Sequence, residues 1–282
     1  MPTPAQIERA ARFAALHRAG AFVLPNAWDI PSAALILQAG FEAVATTSSG
    51  VAFALGLADG ERISKAQMLA VAGEIARRSP IPVTADLEAG YGTAPEAVAA
   101  SVREAIAAGL VGCNIEDSDP ASGRLFDFDL AVARIRAGAE AARAAGLDDF
   151  VLNARTDPFL KGFGDPATCL AEAVRRANAY AAAGARSLFV PGPADAETIA
   201  ALTRRIAGPV NVMVRPGLAP LSDLAALGVR RVSLGGALAG AAYGFARRAL
   251  AQLRADGDFG FTAEAMSHAE MMGLIAGFDA PA

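Results

Sequence analysis

Eight short apolar runs recur along the chain, separated by longer segments whose apolar positions fall three and four apart. The short runs, 21–24, 43–46, 82–85, 112–115, 150–153, 187–190, 210–214 and 231–234, have the length and composition of buried strands. The intervening segments have helical periodicity. Segments 95–108 and 166–183 each carry proline near the start, with Gly109 and Gly184 just past the end. Proline lacks an N–H that the first helical turn does not use, and glycine tolerates the left-handed exit. The stretches "AAGLVG", "AAGARS" and "ALGVRR" repeat one event, in which a helix ends, glycine turns the chain and a strand begins. Two further helical segments bracket the repeats, at 4–18 and 262–273. No Pro/Gly/Ser-rich linker interrupts the alternation, so the pattern predicts one α/β domain over 1–282, a (β/α)₈ TIM barrel. Its core spans 21–255, followed by a C-terminal helix within 261–278. A doubly wound open sheet is the rival architecture.

In a barrel of this kind the C-terminal ends of the strands meet on one face, where reacting groups collect. The sequence places Asn26 and Asp29 after the first predicted strand, Thr47-Ser48-Ser49-Gly50 after the second, and Asp86 and Glu88 after the third. Glu116 and Asp117 follow the fourth, Arg155 and Asp157 the fifth, and Asn211 and Arg215 belong to the seventh. Carboxylates crowded into one cleft repel unless a cation joins them. Asp86, Glu88 and Glu116 are hard oxygen donors without histidine or cysteine beside them, a set that favours Mg²⁺, with Mn²⁺ as the alternative, over Zn²⁺. The same acids could instead cap the helices that follow them. Arg155 could clamp a carboxylate bidentately, or be held in a buried ion pair with one of these acids. The "TTSSG" stretch supplies hydroxyls and backbone N–H groups suited to an anionic oxygen, although such clusters also simply turn the chain.

The net charge of −4 at pH 7 leaves no basic face, which argues against nucleic acid as a partner. Cys113 and Cys169 are too few for a disulfide framework and lack metal-ligand spacing. No apolar stretch reaches the roughly 20 residues a spanning helix needs, and the N-terminus lacks the pattern of a secretory signal. The expectation is a cytoplasmic protein with no membrane partner. His17 and His268 lie in the terminal helical segments, away from the acids, and read as packing or surface residues.

The motifs "TSSGVAFALGLAD" (47–59), "ADLEAGYG" (85–92), "NIEDS" (114–118) and "NARTD" (153–157), in that order and spacing, resemble the isocitrate lyase/phosphoenolpyruvate mutase superfamily. The likeness runs from Phe22 to Leu234. It implies a Mg²⁺-dependent (β/α)₈ barrel acting on a small 2-oxo acid or dicarboxylate through an enolate. It also implies a homotetramer, a dimer of dimers, whose subunits exchange a C-terminal helix. By matching position, Asp86, Glu88 and Glu116 would bind the metal directly or through water, with Asp59 near its water shell. Ser48, Ser49, Gly50, Arg155 and Asn211 would meet the substrate. Glu88 stands where many members have aspartate.

The loop after the fourth strand departs from the family. It reads "SDPASGRLFD" (118–127), without the Cys and His that isocitrate and methylisocitrate lyases carry there. It also lacks the lysine and asparagines kept by phosphonate-acting members. The resemblance therefore points nearest to oxaloacetate decarboxylase- and dimethylmalate lyase-like members. Arg155 and Glu116 would act at the reacting centre, Tyr91 as a proton carrier, and Arg124 by closing over the substrate. The alternatives are a C–P bond enzyme, a phosphoenolpyruvate mutase or phosphonopyruvate hydrolase, and a catalytically silent metabolite-binding barrel.

Overall fold

The structure, a computed structural model, describes residues 1–278. In chain order the elements are α1 (Pro4–Leu16), β1 (Phe22–Leu24), β2 (Asn26–Ala27), α2 (Ile30–Gln38), β3 (Val44–Thr46), α3 (Ser48–Ala54), α4 (Lys65–Arg78), β4 (Val83–Asp86), α5 (Pro95–Ala107) and β5 (Gly112–Glu116). They continue with α6 (Phe128–Ala144), β6 (Val151–Arg155), α7 (Pro166–Ala182), β7 (Ser187–Phe189), α8 (Ala196–Arg205), β8 (Val210–Met213), α9 (Leu221–Ala226), β9 (Arg231–Ser233), α10 (Ala237–Asp256) and α11 (His268–Phe278). All strand pairs are parallel, in the order β1-β9-β8-β7-β6-β5-β4-β3-β2. The (β/α)₈ expectation is met and the open-sheet rival is not.

Nine strands appear where eight were expected because the first is split. β1 pairs with β9 and β2 with β3, and Pro25 lies between the two pieces. Proline has no N–H to continue a ladder, so the strand changes partner there. Asn26 staples the seam: its Nδ2 donates to Thr46 O at 2.7 Å, and its Oδ1 accepts from Leu234 N and Gly235 N.

The predicted helices 95–108 and 166–183 appear as α5 and α7, ending one residue earlier. Asp29 caps α2: its carboxylate accepts from Ser32 N at 2.8 Å while Ser32 Oγ accepts from Asp29 N. This reciprocal box occupies the side chain, so Asp29 belongs to the helix start. Beneath the strands, α1 closes the barrel floor, with Phe13 fully buried and Gln6 donating to Ile106 O and Leu110 O.

The C-terminal helix starts later than its periodicity suggested. A 3₁₀ turn, Gly260–Glu264, precedes α11. Ser267 N donates to Glu270 Oε2, and Glu270 N to Ser267 Oγ, a capping box that sets the start of α11. α11 packs on α2 of its own chain and buries Leu274 and Phe278. No helix among the described residues is long and apolar enough to cross a membrane.

Candidate active site

Asp86 ends β4 facing the start of α3. Thr47 caps that helix, and the N–H and hydroxyl of Ser48 both donate to Asp86 Oδ2, at 3.2 and 2.9 Å. From the next strand Asn114 Nδ2 approaches Asp86 Oδ1 at 3.5 Å. Ser48 therefore anchors Asp86. Ser49 Oγ lies 3.1 Å from Thr47 Oγ1. Gly50 is required by packing, since a Cβ there would come within 2.6 Å of Thr47 Cγ2 and 2.9 Å of Trp28 Cβ.

Glu88 is held by two loops locked together. Glu61 N donates to Glu88 Oε2 at 2.5 Å, and Glu61 Oε1 accepts from Tyr91 N at 2.9 Å. Glu61, Glu88 and Tyr91 adopt φ of +55°, +49° and +59°, a left-handed conformation that costs non-glycine residues energy and tends to cluster at functional sites. Arg134, buried on α6, supports this loop by donating to the carbonyls of Ala89, Gly92 and Thr93 while its guanidinium lies 4.2 Å from the Phe126 ring centroid. Glu88 is buried and its Oε1 has no hydrogen-bond partner among the described residues. Burial first, and then the charge of Asp86, push its carboxyl up to about 8. The Tyr91 hydroxyl is likewise buried and unpartnered, and burial raises its pKa far above the usual phenol range.

Arg155 bridges the next two acids. Its Nη1 lies 2.8 Å from Glu116 Oε2, while Nε and Nη2 donate to the two oxygens of Asp157 at 2.7 and 2.9 Å. Of the two readings of Arg155, the structure shows the ion pair. The three contacts leave two of the five Arg155 N–H donors free. Burial raises the Glu116 carboxyl, and Arg155 opposes that rise. Asp117 belongs to a different neighbourhood. It is buried and accepts from Thr156 Oγ1, Tyr180 Oη, Arg176 Nη1 and Asp157 N, a network that braces β5 against β6 and α7.

The remaining predicted residues are spread more widely. Partial burial and then the charge of Asp86 raise the Asp59 carboxyl. Asn211 is fully buried and exchanges hydrogen bonds with Ser233 Oγ. Arg124 is exposed and lines a pocket of about 540 Å³ with Lys161, Phe163 and Arg175. Arg215 donates to Gly192 O. Both cysteines are buried free thiols, His17 is buried under the barrel, and His268 is exposed.

Sequence reasoning missed Glu61 and Arg134. Arg134 had no local signal, because its partners lie more than 40 residues away in the chain. Glu61 follows the recognised "GLAD" stretch by two residues, and only the docking of two loops reveals it.

The donor set fits a hard divalent cation. Glu88 presents an orphaned buried oxygen, and burial first, with the charge of Asp86 adding to it, raises the carboxyls of Asp59, Glu88 and Glu116. Among the described residues no three carboxylates converge as a preformed cage. Mg²⁺ suits such a place, because it binds through one or two carboxylates and keeps several waters.

Residues 13–254 match the phosphoenolpyruvate phosphomutase family. A solved Burkholderia cenocepacia structure, provisionally named a lyase/mutase, is 44% identical with a TM-score of 0.91 over 97% of this chain and 98% of that one. An uncharacterized Mycobacterium tuberculosis protein is 41% identical over 224 residues, 78% of this chain and 80% of its own length. Oxaloacetate decarboxylase from Paraburkholderia xenovorans is 32% identical over 226 residues, 77% of this chain and 71% of its own length.

Proposed function

The chain belongs to the phosphoenolpyruvate phosphomutase family, within a superfamily of lyases and mutases, and on that premise we propose a Mg²⁺-dependent carbon–carbon lyase or decarboxylase. Its substrate is a small 2-oxo or 2-hydroxy dicarboxylate. The observation that carries this reading is Arg155, with two free donors, beside Glu116 and the Asp86–Glu88 pair. The similarity to an oxaloacetate decarboxylase supports the choice of bond.

Asp86, Glu88 and Glu116 would hold Mg²⁺, directly or through water, with Asp59 beside them. Bound there, the ion supplies Lewis-acid polarisation of the substrate's oxygens. Arg155 orients a substrate carboxylate through its free N–H groups, while Asp157 fixes the guanidinium plane. At the start of α3, where Ser48 N donates to Asp86 and Gly50 N to Thr47, Ser49 would offer its N–H toward an anionic oxygen. In a 2-oxo acid the electron pair of the breaking bond passes into the neighbouring keto group as an enolate. In a 2-hydroxy acid the hydroxyl gives its proton to a base and becomes the keto group, while the pair passes to the α-carbon of the departing acid, which is then protonated. Tyr91, protonated at neutral pH and without a protein partner, is the proton carrier. The exposed apolar side chains Leu238, Tyr243 and Leu250 on α10 support assembly into the homotetramer.

Turnover of oxaloacetate, substituted malates, methylisocitrate and phosphonopyruvate, each with Mg²⁺ or EDTA, tests the proposal. Cleavage of an oxo- or hydroxy-dicarboxylate that EDTA abolishes is expected. Turnover indifferent to EDTA removes the metal role, and turnover of phosphonopyruvate alone moves the enzyme to C–P chemistry.

A further inference from the structure

The interior of an eight-stranded parallel barrel is ordinarily filled with branched apolar side chains. In this one Thr84, Asn153, Ser187, Asn211, Arg231 and Ser233 are all buried on the strands. Arg231 is the most demanding of them. Its Nε donates to Ser233 Oγ at 3.1 Å, but Nη1 and Nη2 have no acceptor, and it forms no ion pair among the described residues. Burial lowers it to about 9, so it keeps its charge at neutral pH. A buried cation with unmet donors is costly unless something hydrogen-bonds it.

Among the described residues, Thr84 Oγ1, Asn153 Oδ1, Ser187 Oγ and His17 Nε2 are also buried without a protein partner. Thr84 Oγ1 points across Gly112, where a Cβ would meet it at 2.9 Å and Phe13 of the floor helix at 3.1 Å. Ser187 is the register partner of Asn153, so their side chains share a face of the sheet. Phe22 is the register partner of Arg231, and its ring packs edge-on against His17, which feels the Arg231 charge. The His17 tautomer is fixed, because Nδ1 lies 2.9 Å from Phe13 O and must donate, leaving Nε2 as an acceptor. The unmet set therefore holds two donors, two acceptors and two hydroxyls that can play either role. An anion would satisfy Arg231 but be repelled by Asn153 Oδ1 and His17 Nε2. A cation would face the guanidinium. Of the three, water both donates and accepts, and a buried water typically makes about three hydrogen bonds to such groups.

We propose that the lower barrel is a binding chamber for internal water, with Arg231 as its principal donor. The chamber connects upward, because Asn153 Nδ2 donates to Asn114 Oδ1 at 2.7 Å and Asn114 reaches Asp86. The carboxylate at the candidate metal site thus sits at the top of a polar column whose lower end is hydrated. The inference does not depend on which bond the enzyme breaks.

Crystals of the full chain soaked in bromide, together with oxygen-17 relaxation dispersion of the protein in solution, test this. Density for water bridging Nη1 or Nη2 of Arg231 to Asn153 Oδ1, Thr84 Oγ1, Ser187 Oγ or His17 Nε2 is expected, with no anomalous bromide peak. Long-lived internal waters should be seen in solution, fewer in Arg231→Met and retained in part in Arg231→Lys. A bromide peak at the guanidinium overturns the proposal, as does a dry interior in which Arg231 pairs directly with Asn153 or Ser187. If Arg231→Met does not fold, the unsubstituted protein decides the matter: absence of long-lived waters overturns it.

Discussion

At the residue scale, charge and burial decide what each side chain can do. Arg155 neutralises Asp157, which is fully buried, and Glu116, which is partly buried. Arg155→Met leaves both without their cation, and removing one partner of a buried pair costs about 3–5 kcal/mol. Urea denaturation should show that loss. On the proposed function, kcat/KM should also fall by about 10²–10³-fold, as when one donor to a developing anion is removed. His17 makes a separate prediction. Burial, then Arg231, lower its pKa from 6.5 to about 3, so the folded protein refuses a proton that the unfolded chain accepts. Its contribution to stability is complete above pH 6.5 and is lost as pH falls toward 3, at about 1.4 kcal/mol per unit. His17→Gln should flatten that part of the stability–pH curve, read from urea midpoints between pH 4 and 7.

At the element scale, the loop after β4 depends on a helix that follows β5. Arg134 gathers three carbonyls of residues 89–93 and so holds Glu88 and Tyr91 in left-handed conformations that an isolated loop would abandon. Arg134→Met should destabilise the fold by about 2–4 kcal/mol, because charged hydrogen bonds are lost and carbonyls are left unsatisfied. It should also weaken Mg²⁺ binding by about 10–100-fold, the usual effect of removing a group that orients ligands. Calorimetric titration with Mg²⁺ checks the second effect, and Arg134→Lys should recover part of it. The elements themselves were legible where capping and periodicity agreed, as at Pro95 and Gly109. They were misplaced where a local device overrode the pattern. The Ser267–Glu270 box shifts the last helix beyond its apolar start, and Pro25 divides the first strand.

At the scale of the whole molecule, α10 is the unfinished surface. Over 20 residues it buries only Ala239 against its own barrel, while Leu238, Tyr243 and Leu250 are exposed. Apolar side chains spaced along one long helix are characteristic of an association face. Sedimentation equilibrium should therefore return an assembly of 28.6 kDa chains, four on the proposed reading, and Tyr243→Glu with Leu250→Glu should dissociate it. A monomer at micromolar concentration would remove the tetramer from the proposal. α11 lies on its own α2, so the packing of the C-terminal apolar stretch has at least one solution within a single chain.

The sequence by itself determined the alternation of strands and helices and favoured a barrel, because most elements announce themselves through spacing, proline and glycine within a dozen residues; the closed strand order excluded the open-sheet rival. It also located the acids after the strands, since barrel topology sends strand ends to one face. Only the tertiary structure decided what those acids are free to do. Asp29 is spent on a cap and Asp117 on a buried network, while Glu88 keeps an unpartnered oxygen. The last two fates depend on partners 27 to 63 residues away, Glu61 for Glu88 and Tyr180 for Asp117. Local pattern carries no trace of such pairings, because they follow from how the loops and strands close around one another.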